Sequence, residues 1–358
     1  MKPIDLRTDA LTPPTEAMWE AMRRAELGWA MRGEDRSVCA LEALGAQMLG
    51  KEAGLFLPSC SMANLAALLA LGRPGSQIIL EATSHVATSE EWAAAEGQPG
   101  PLCALLGITP RLLGSARGVM PAEAVEAAIL EGEAAGRPAS LVALENSHNN
   151  AGGAAVTAAA LAAVAQVARR HGAAVHLDGA RLFNAAVALG APAAELAASA
   201  DTVAISLNKG LSAPLGALLC GSHVAISAAR AAAGHLGAGS IHKAGIFAAA
   251  GIVALSTMVE RLAEDHRRAA RLARRLADVA GLRVEPAQTN IVLAEITAPG
   301  LSSEALVEQL AAAGVLALAR AGRRVRFVLH RLIDDEDVIF AAQAIAQVMH
   351  SISSTEGT

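Results

Sequence analysis

The sequence predicts an α/β fold: a mostly parallel central sheet covered by helices, with a small C-terminal α+β unit. Three observations predict it. From Leu55 to Leu207, short apolar runs of strand length alternate with helix-length segments, the pattern of a parallel sheet covered on both faces. At 358 residues the chain exceeds one ordinary hydrophobic core, so two units are expected. Beyond Lys209 the alternation gives way to long helical stretches and then to short strands and helices.

Each element has its own signal. Residues 14–26 and 37–49 read as amphipathic helices, with Ser37 as the N-cap of the second. Leu55 to Leu57 is a strand, and Pro58-Ser59-Cys60-Ser61 turns into a helix from Met62 to Leu71. Gln77 to Leu80 is a strand, Ala82 to His85 a loop, and Thr88 to Ala95 a short helix. A strand around Leu112, a helix from Pro121 to Ala134, a strand from Leu141 to Leu144 and a helix from Thr157 to His171 follow. Two further strands, Ala173 to Leu177 and Val203 to Leu207, come next, and Leu215 to Cys220 turns back. Helical segments cover His223 to Ala233 and, with breaks, Ala244 to Ala280. The small unit reads as strand Asn290 to Glu295, helix Ser303 to Ala312, strand Val325 to Leu329 and helix Asp335 to Val348. The last residues, Ser351 to Thr358, read as frayed. The boundaries that result are an N-terminal arm over 1–15, a large unit over 16–245 and a small unit over 246–358.

Composition excludes several classes. Net charge is −5, no basic stripe stands out, and the chain has no Tyr and five Phe, so no nucleic-acid partner is expected. Mean hydropathy is +0.39, but the excess is mostly alanine. The longest uncharged stretch, Ala244 to Leu255, is shorter than the roughly 20 residues a spanning helix needs, so no membrane partner is expected. The polar start, Met1 to Asp9, has no apolar leader region, and the four cysteines lack metal-site spacing. A cytoplasmic, reduced protein without a bound metal is the reading.

The chemistry gathers at two strand ends. Asp178 follows Ala173 to Leu177, and Lys209 follows Val203 to Leu207. Side chains at the carboxyl ends of neighbouring strands converge on one crevice of an open α/β sheet. A carboxylate and a primary amine placed there are what pyridoxal 5'-phosphate requires. The amine forms a Schiff base with the aldehyde, and the carboxylate keeps the pyridine nitrogen protonated. Lysine usage points the same way. Of 29 basic residues only Lys2, Lys51, Lys209 and Lys243 are lysine, and arginine does not form imines.

The other candidates are weighed against blander readings. Ser59, Cys60 and Ser61 open a helix and offer backbone amides and hydroxyls to a phosphate; the bland reading is a common serine N-cap. His85 sits where a ring could stack on the pyridine and accept a proton, or is a surface-loop histidine. Arg181 could reach the cofactor or substrate, or form a structural ion pair. Arg326, inside an apolar strand, could clamp an α-carboxylate, or face water from an edge strand. Asn146 could bond the cofactor's phenolate oxygen and His148 could face the substrate, or both could belong to a polar turn. His176 reads as a core histidine.

Taken together, these segments resemble the L-threonine aldolase branch of the fold-type I pyridoxal-phosphate enzymes, the β-eliminating lyase-like family. The resemblance rests on Asp5-Leu6-Arg7-Thr8-Asp9, Gly50-Lys51-Glu52-Ala53, Leu144 to Asn149, His176 to Asn184, Lys209-Gly210-Leu211 and Val325-Arg326 with His330. It implies a fold-type I transferase-like architecture and a retro-aldol lyase. That lyase would cut a β-hydroxy-α-amino acid, such as L-threonine, L-allo-threonine or phenylserine, to glycine and an aldehyde. It implies Lys209, His85 and Asp178 as catalytic residues and adds Asn208 to the cofactor set. Thr8, Arg181 and Arg326 would hold the substrate carboxylate, and His85 or His148 would take the hydroxyl proton. It also implies a site at a subunit interface, hence a homodimer or homotetramer. The chain departs from the family at Arg32-Gly33-Glu34-Asp35, where the family has Tyr-Gly-Asp-Asp. It departs again at Cys60 for glycine, Asn208 for serine, and Ile241-His242-Lys243 for Met-Arg-Gln. Two other readings stay open: β-elimination or related carbanion chemistry on another amino acid, and a cofactor-binding protein with a degraded substrate pocket.

Overall fold

A computed structural model describes residues 3–90, 100–238 and 241–355. The chain begins with β1 (Ile4–Asp5), α1 (Glu16–Arg24), α2 (Arg36–Met48), β2 (Ala53–Leu57), α3 (Cys60–Leu71), β3 (Gln77–Glu81) and α4 (His85–Ser89). It continues with α5 (Pro101–Leu106), β4 (Thr109–Leu113), α6 (Ala122–Ala134), β5 (Ala139–Glu145), α7 (Ala158–Arg170), β6 (Ala174–Gly179), α8 (Leu182–Leu189) and α9 (Ala193–Ala197). Then come β7 (Thr202–Ser206), β8 (Ala217–Gly221), α10 (His223–His235), α11 (Ala244–Thr257) and α12 (Leu262–Leu276). The last elements are β9 (Leu282–Val284), β10 (Ile291–Ile296), α13 (Ser303–Ala312), β11 (Val315–Leu316), β12 (Leu318–Arg320), β13 (Arg324–Val328) and α14 (Asp335–Thr355).

The large sheet has the order β2-β8-β7-β6-β5-β3-β4. Strands β4, β3, β5, β6 and β7 run parallel, β8 runs antiparallel to β7, and β2, antiparallel to β8 at the edge, shares the direction of the parallel strands. Every residue of β3, β5, β7 and β8 is buried, as expected for strands covered on both faces. Alternation divides the core. Val142, Leu144, Val175, Leu177, Val203 and Ile205 pack on one face, and Leu141, Ala143, Ala204 and Leu219 on the other. Because β3 has β4 on one side and β5 on the other, the connections part there. A crevice opens beyond the carboxyl ends of the strands. Glu81, Glu145, Asp178 and Ser206 lie at those ends.

A second core gathers residues of 269–352 around the antiparallel sheet β12-β13-β10-β9. The N-terminal arm belongs to it as well: β1 pairs in parallel with β11, and Leu6 is 1% exposed within that core.

Several elements differ from the sequence reading for local reasons. Asp35, not Ser37, caps α2: its carboxylate accepts from Val38 N at 3.0 Å and from Gly28 N at 3.1 Å. The helix expected at Thr88 to Ala95 begins at His85 and runs to Ser89, because Ser84 caps it through Ala87 N; residues 91–95 lie outside the described set. The stretch Ala244 to Ala280 is two helices, α11 and α12, bent by 67°. No single helix among the described residues is long and apolar enough to cross a membrane. That bent pair passes on length and composition, but Ala248, Ala250 and Ala254 of α11 are core residues. Helix α14 runs on to Thr355, and the end of the expected frayed tail lies outside the described residues.

Candidate active site

Asp178 is the penultimate residue of β6, at 2% exposure. Its Oδ2 accepts from Asn64 Nδ2 at 3.0 Å and its Oδ1 from Ala180 N at 3.0 Å. Asn64 Oδ1 lies 3.0 Å from His176 Nε2, and His176 Nδ1 lies 2.9 Å from Thr202 Oγ1. Burial pushes the His176 pKa down to about 4, so its ring is neutral. The Thr202 hydroxyl then donates to Nδ1, and Nε2–H donates to Asn64. This chain fixes the Asn64 amide with its nitrogen toward Asp178. His176 is thus a core histidine that also orients the group holding the carboxylate.

His85 opens α4, and its backbone N–H donates to Glu145 Oε2 at 2.6 Å. Its Nδ1 lies 3.0 Å from Glu90 Oε1, which also accepts from Asn64 Nδ2 at 3.0 Å. The hydrogen bond to Glu90 raises the His85 pKa; burial and the nearby Lys209 charge oppose that, and the Asp178 charge supports it. One Asn64 amide thus ties Glu90 and Asp178 together. Ligand atoms of His85, Glu90 and Asp178 lie within 4.8 Å of one another, a separation that also suits a divalent cation. The Glu90 and Asp178 carboxylates favour positive charge at His85, and the Lys209 charge opposes it with the smallest influence of the groups named. Lys209 is half-buried in the turn after β7, and its backbone carbonyl accepts from Thr12 Oγ1 at 3.2 Å. Asn208 beside it accepts from Ser206 Oγ at 2.8 Å.

On the opposite flank, Ser59 caps α3 through Met62 N at 3.2 Å. The first-turn N–H groups of Cys60 and Ser61 are left for an anion. Cys60 turns its thiol inward: Sγ lies 3.8 Å from Asp178 Oδ1. Burial, reinforced by the Asp178 charge, pushes that thiol well above its ordinary pKa.

A third group of polar residues joins the N-terminal arm to the crevice. Arg181 donates to both oxygens of Asp9, at 2.9 and 2.6 Å, and to Asn149 Oδ1 at 3.2 Å. Burial disfavours the Asp9 charge, but Arg181 outweighs it and holds the carboxyl well below its usual range. Asn290 Nδ2 adds a bond to Asp9 at 3.1 Å. Arg326 donates to Asn149 Oδ1 at 2.8 Å and to the Arg7 carbonyl at 3.2 Å. Its Nε is buried without a partner. Thr8 is half-buried, and its hydroxyl accepts from Ala10 N at 3.1 Å.

Two expected site residues are turned elsewhere. Asn146 bonds the backbone of Val156 at both ends of its amide, at 2.9 and 3.0 Å, so neither end faces the crevice. His148 has no exposed surface. Its Nδ1 accepts from Ala151 N at 3.2 Å, which leaves the proton on Nε2, 3.0 Å from Glu81 Oε2. The ring packs where Gly118 has no side chain: a Cβ at that position, which has φ +84°, would lie 2.4 Å from the imidazole. Arg181 is engaged by Asp9. Asn64, Glu90, Asp9, Asn149 and Glu145 were not singled out from sequence. The Asp-Leu-Arg-Thr-Asp run and the strand-end segment at 144–149 contained three of them without marking their partners.

The donor set fits pyridoxal phosphate. A helix N-terminus presents free amides, and Lys209 stands at the same edge. Among the described residues Asp178 is held by neutral donors and paired with no cation, so it can face a protonated ring nitrogen. Fold and site together define a fold-type I pyridoxal-phosphate enzyme. The beta-eliminating lyase family profile matches residues 5–299, and the chain belongs to that family. It is 36% identical over 358 residues to a probable low-specificity L-threonine aldolase of Arabidopsis thaliana, covering 98% of both chains. It is 36% identical over 338 residues to a low specificity L-threonine aldolase of Escherichia coli, covering 94% of this chain and 96% of that one. Among solved structures it resembles a putative L-allo-threonine aldolase of Listeria monocytogenes, with TM-score 0.78 and 21% identity over 97% and 96% of the chains.

Proposed function

We propose that this chain is a pyridoxal-phosphate-dependent aldolase that cleaves a β-hydroxy-α-amino acid, such as L-threonine, L-allo-threonine or phenylserine, to glycine and an aldehyde. One observation carries the reading: Lys209, Asp178 and His85 share one sheet edge in a chain that matches L-threonine aldolases almost end to end. Cys60, Ser61, His85, Asp178, Asn208 and Lys209 would hold the cofactor, with Ser59 capping the phosphate-side helix. When bound, the cofactor supplies an electron sink for the charge left on Cα as the Cα–Cβ bond breaks.

The chain's own residues do the rest. Arg326 binds the α-carboxylate through the edge that its Asn149 bond leaves open. Arg181 is fixed by Asp9, and its remaining N–H positions Asn149 beside Arg326. The β-hydroxyl proton goes to His85 Nε2: Nδ1–H is held by Glu90, so the neutral ring presents its lone pair at Nε2. His148, buried with both nitrogens engaged, supports the strand end and leaves the proton transfer to His85. Asp178, held from below by Asn64, fixes the orientation of the ring.

The exposed Leu11, Trp19, Leu27 and Trp29 form apolar surface near the N-terminus and support a homodimer or homotetramer. All four cysteines are free, which supports a cytoplasmic location. The test is a panel of amino acids on the purified holoenzyme, with glycine and aldehyde release measured together. Release of pyruvate or ammonia from serine or cysteine, with none of glycine, would replace the aldolase by an eliminating lyase.

A further inference from the structure

The small unit turns three arginines to one side. In the register of β12, β13 and β10, Arg320 stands opposite Arg324, and Arg326 stands opposite Leu318 and Leu293. Residues two apart on a strand share a face, so Arg320, Arg324 and Arg326 form one basic face. All three line a pocket of about 280 Å³ with Thr88, Ser89 and Asn149. Thr88 and Ser89 belong to α4, the helix that begins at His85. The pocket also shares Asn149 and Arg326, which are hydrogen-bonded at 2.8 Å, with the proposed site.

This basic face lacks an acidic counterpart. The carboxylate in register, Glu295 opposite Arg324, is paired with Arg283. Among the described residues no carboxylate pairs with Arg320, Arg324 or Arg326. Arg326 is 5% exposed, and the Nε atoms of both Arg320 and Arg326 are buried without a hydrogen-bond partner. Burial and the neighbouring guanidinium charges push both pKa values down, that of Arg326 to about 9. Gathering repelling cations around orphaned donors costs stability. An anionic ligand would offset that cost with bidentate hydrogen bonds. The α-carboxylate that Arg326 binds satisfies one guanidinium. Arg320 is its diagonal neighbour across the strand pair, roughly 7–8 Å away along the backbone, and needs a second.

We propose that Arg320, with Arg324 at the rim, binds a second carboxylate on the substrate side chain, so that this chain prefers β-hydroxy-α-amino acids with an acidic group beyond Cβ. The proposal rests on the aldolase reading and names its substrate class. The simplest such substrate is 3-hydroxyaspartate. Its Cα–Cβ bond breaks, the β-hydroxyl loses its proton to His85 and becomes the carbonyl of glyoxylate, and Cα takes a proton and leaves as glycine. Atoms balance with no oxidant or reductant.

The experiment compares kcat/KM for L-threo-3-hydroxyaspartate and L-threonine in the wild-type holoenzyme, Arg320→Gln and Arg320→Lys. The wild type is expected to favour the acidic substrate by about tenfold or more. In Arg320→Gln, kcat/KM for hydroxyaspartate falls roughly 100-fold, mainly through KM, while that for threonine stays within about threefold. Arg320→Lys keeps the charge without the fork and recovers part of the preference. Equal losses on both substrates would assign Arg320 to the α-carboxylate or to folding and overturn the proposal. So would a wild type that cleaves threonine at least as well as hydroxyaspartate, and in that case the aldolase reading stands. If neither substrate releases glycine, the aldolase reading fails and takes this proposal with it.

Discussion

Glu90 Oε1 lies 3.0 Å from His85 Nδ1 and 3.0 Å from Asn64 Nδ2, so one carboxylate oxygen sets both the proposed base and the amide beneath Asp178. The bond to Glu90 raises the His85 pKa. A base works in its neutral form, so kcat should rise with pH along a limb placed above the ordinary histidine value. In Glu90→Gln the raised pKa falls, and the limb should move to lower pH. The measurement is kcat against pH for both proteins with a saturating β-hydroxy amino acid. An unmoved limb would take Glu90 out of this role.

The buried pair of Asp9 and Arg181 ties the arm to the large unit. Asp9→Ala strands a buried guanidinium and should lose ~3–5 kcal/mol of stability. Asp9→Ala with Arg181→Leu removes both charges and should recover most of that loss. Urea unfolding of the three proteins checks it. A loss below ~1 kcal/mol in the single variant would mean that water reaches Arg181. Because Asp9 holds its proton less tightly when folded, its contribution is present at neutral pH and fades on acidification below the usual carboxylate range.

The four thiols should react in a definite order. Cys39 is exposed, whereas burial raises Cys103 to about 11 and Cys220 to about 12. Cys60 is held protonated beside Asp178. Iodoacetamide at pH 8 should label Cys39 first, Cys60 slowly and the other two last. Added cofactor should protect Cys60 alone. Peptide mass mapping over time reads the order, and labelling of Cys60 as fast as Cys39 would contradict its inward placement.

What was legible in the sequence is what is local. The strand–helix alternation, Asp178 at one strand end and Lys209 past the next needed only neighbours along the chain. The partners were not legible because they are distant: Arg181 and Asp9 are 172 residues apart, and His176 and Asn64 are 112 apart. Asn146 and His148 were recognised as strand-end polar residues. Their direction depends on the Val156 backbone and on the room beside Gly118, which no periodicity reports. Short β12, three residues long, gave no pattern at all, yet it places Arg320 in the pocket with Arg326.

The central claim is that Lys209 holds the cofactor covalently opposite Asp178. The direct measurement is borohydride reduction of the wild-type holoenzyme followed by peptide mass mapping. The chain has only four lysines, Lys2, Lys51, Lys209 and Lys243, so the assignment is unambiguous. The expected result is one pyridoxyl-phosphate adduct on the peptide containing Lys209, absent in Lys209→Ala together with the visible absorbance. An adduct on Lys51 or Lys243, or no adduct in the wild type, would contradict the account.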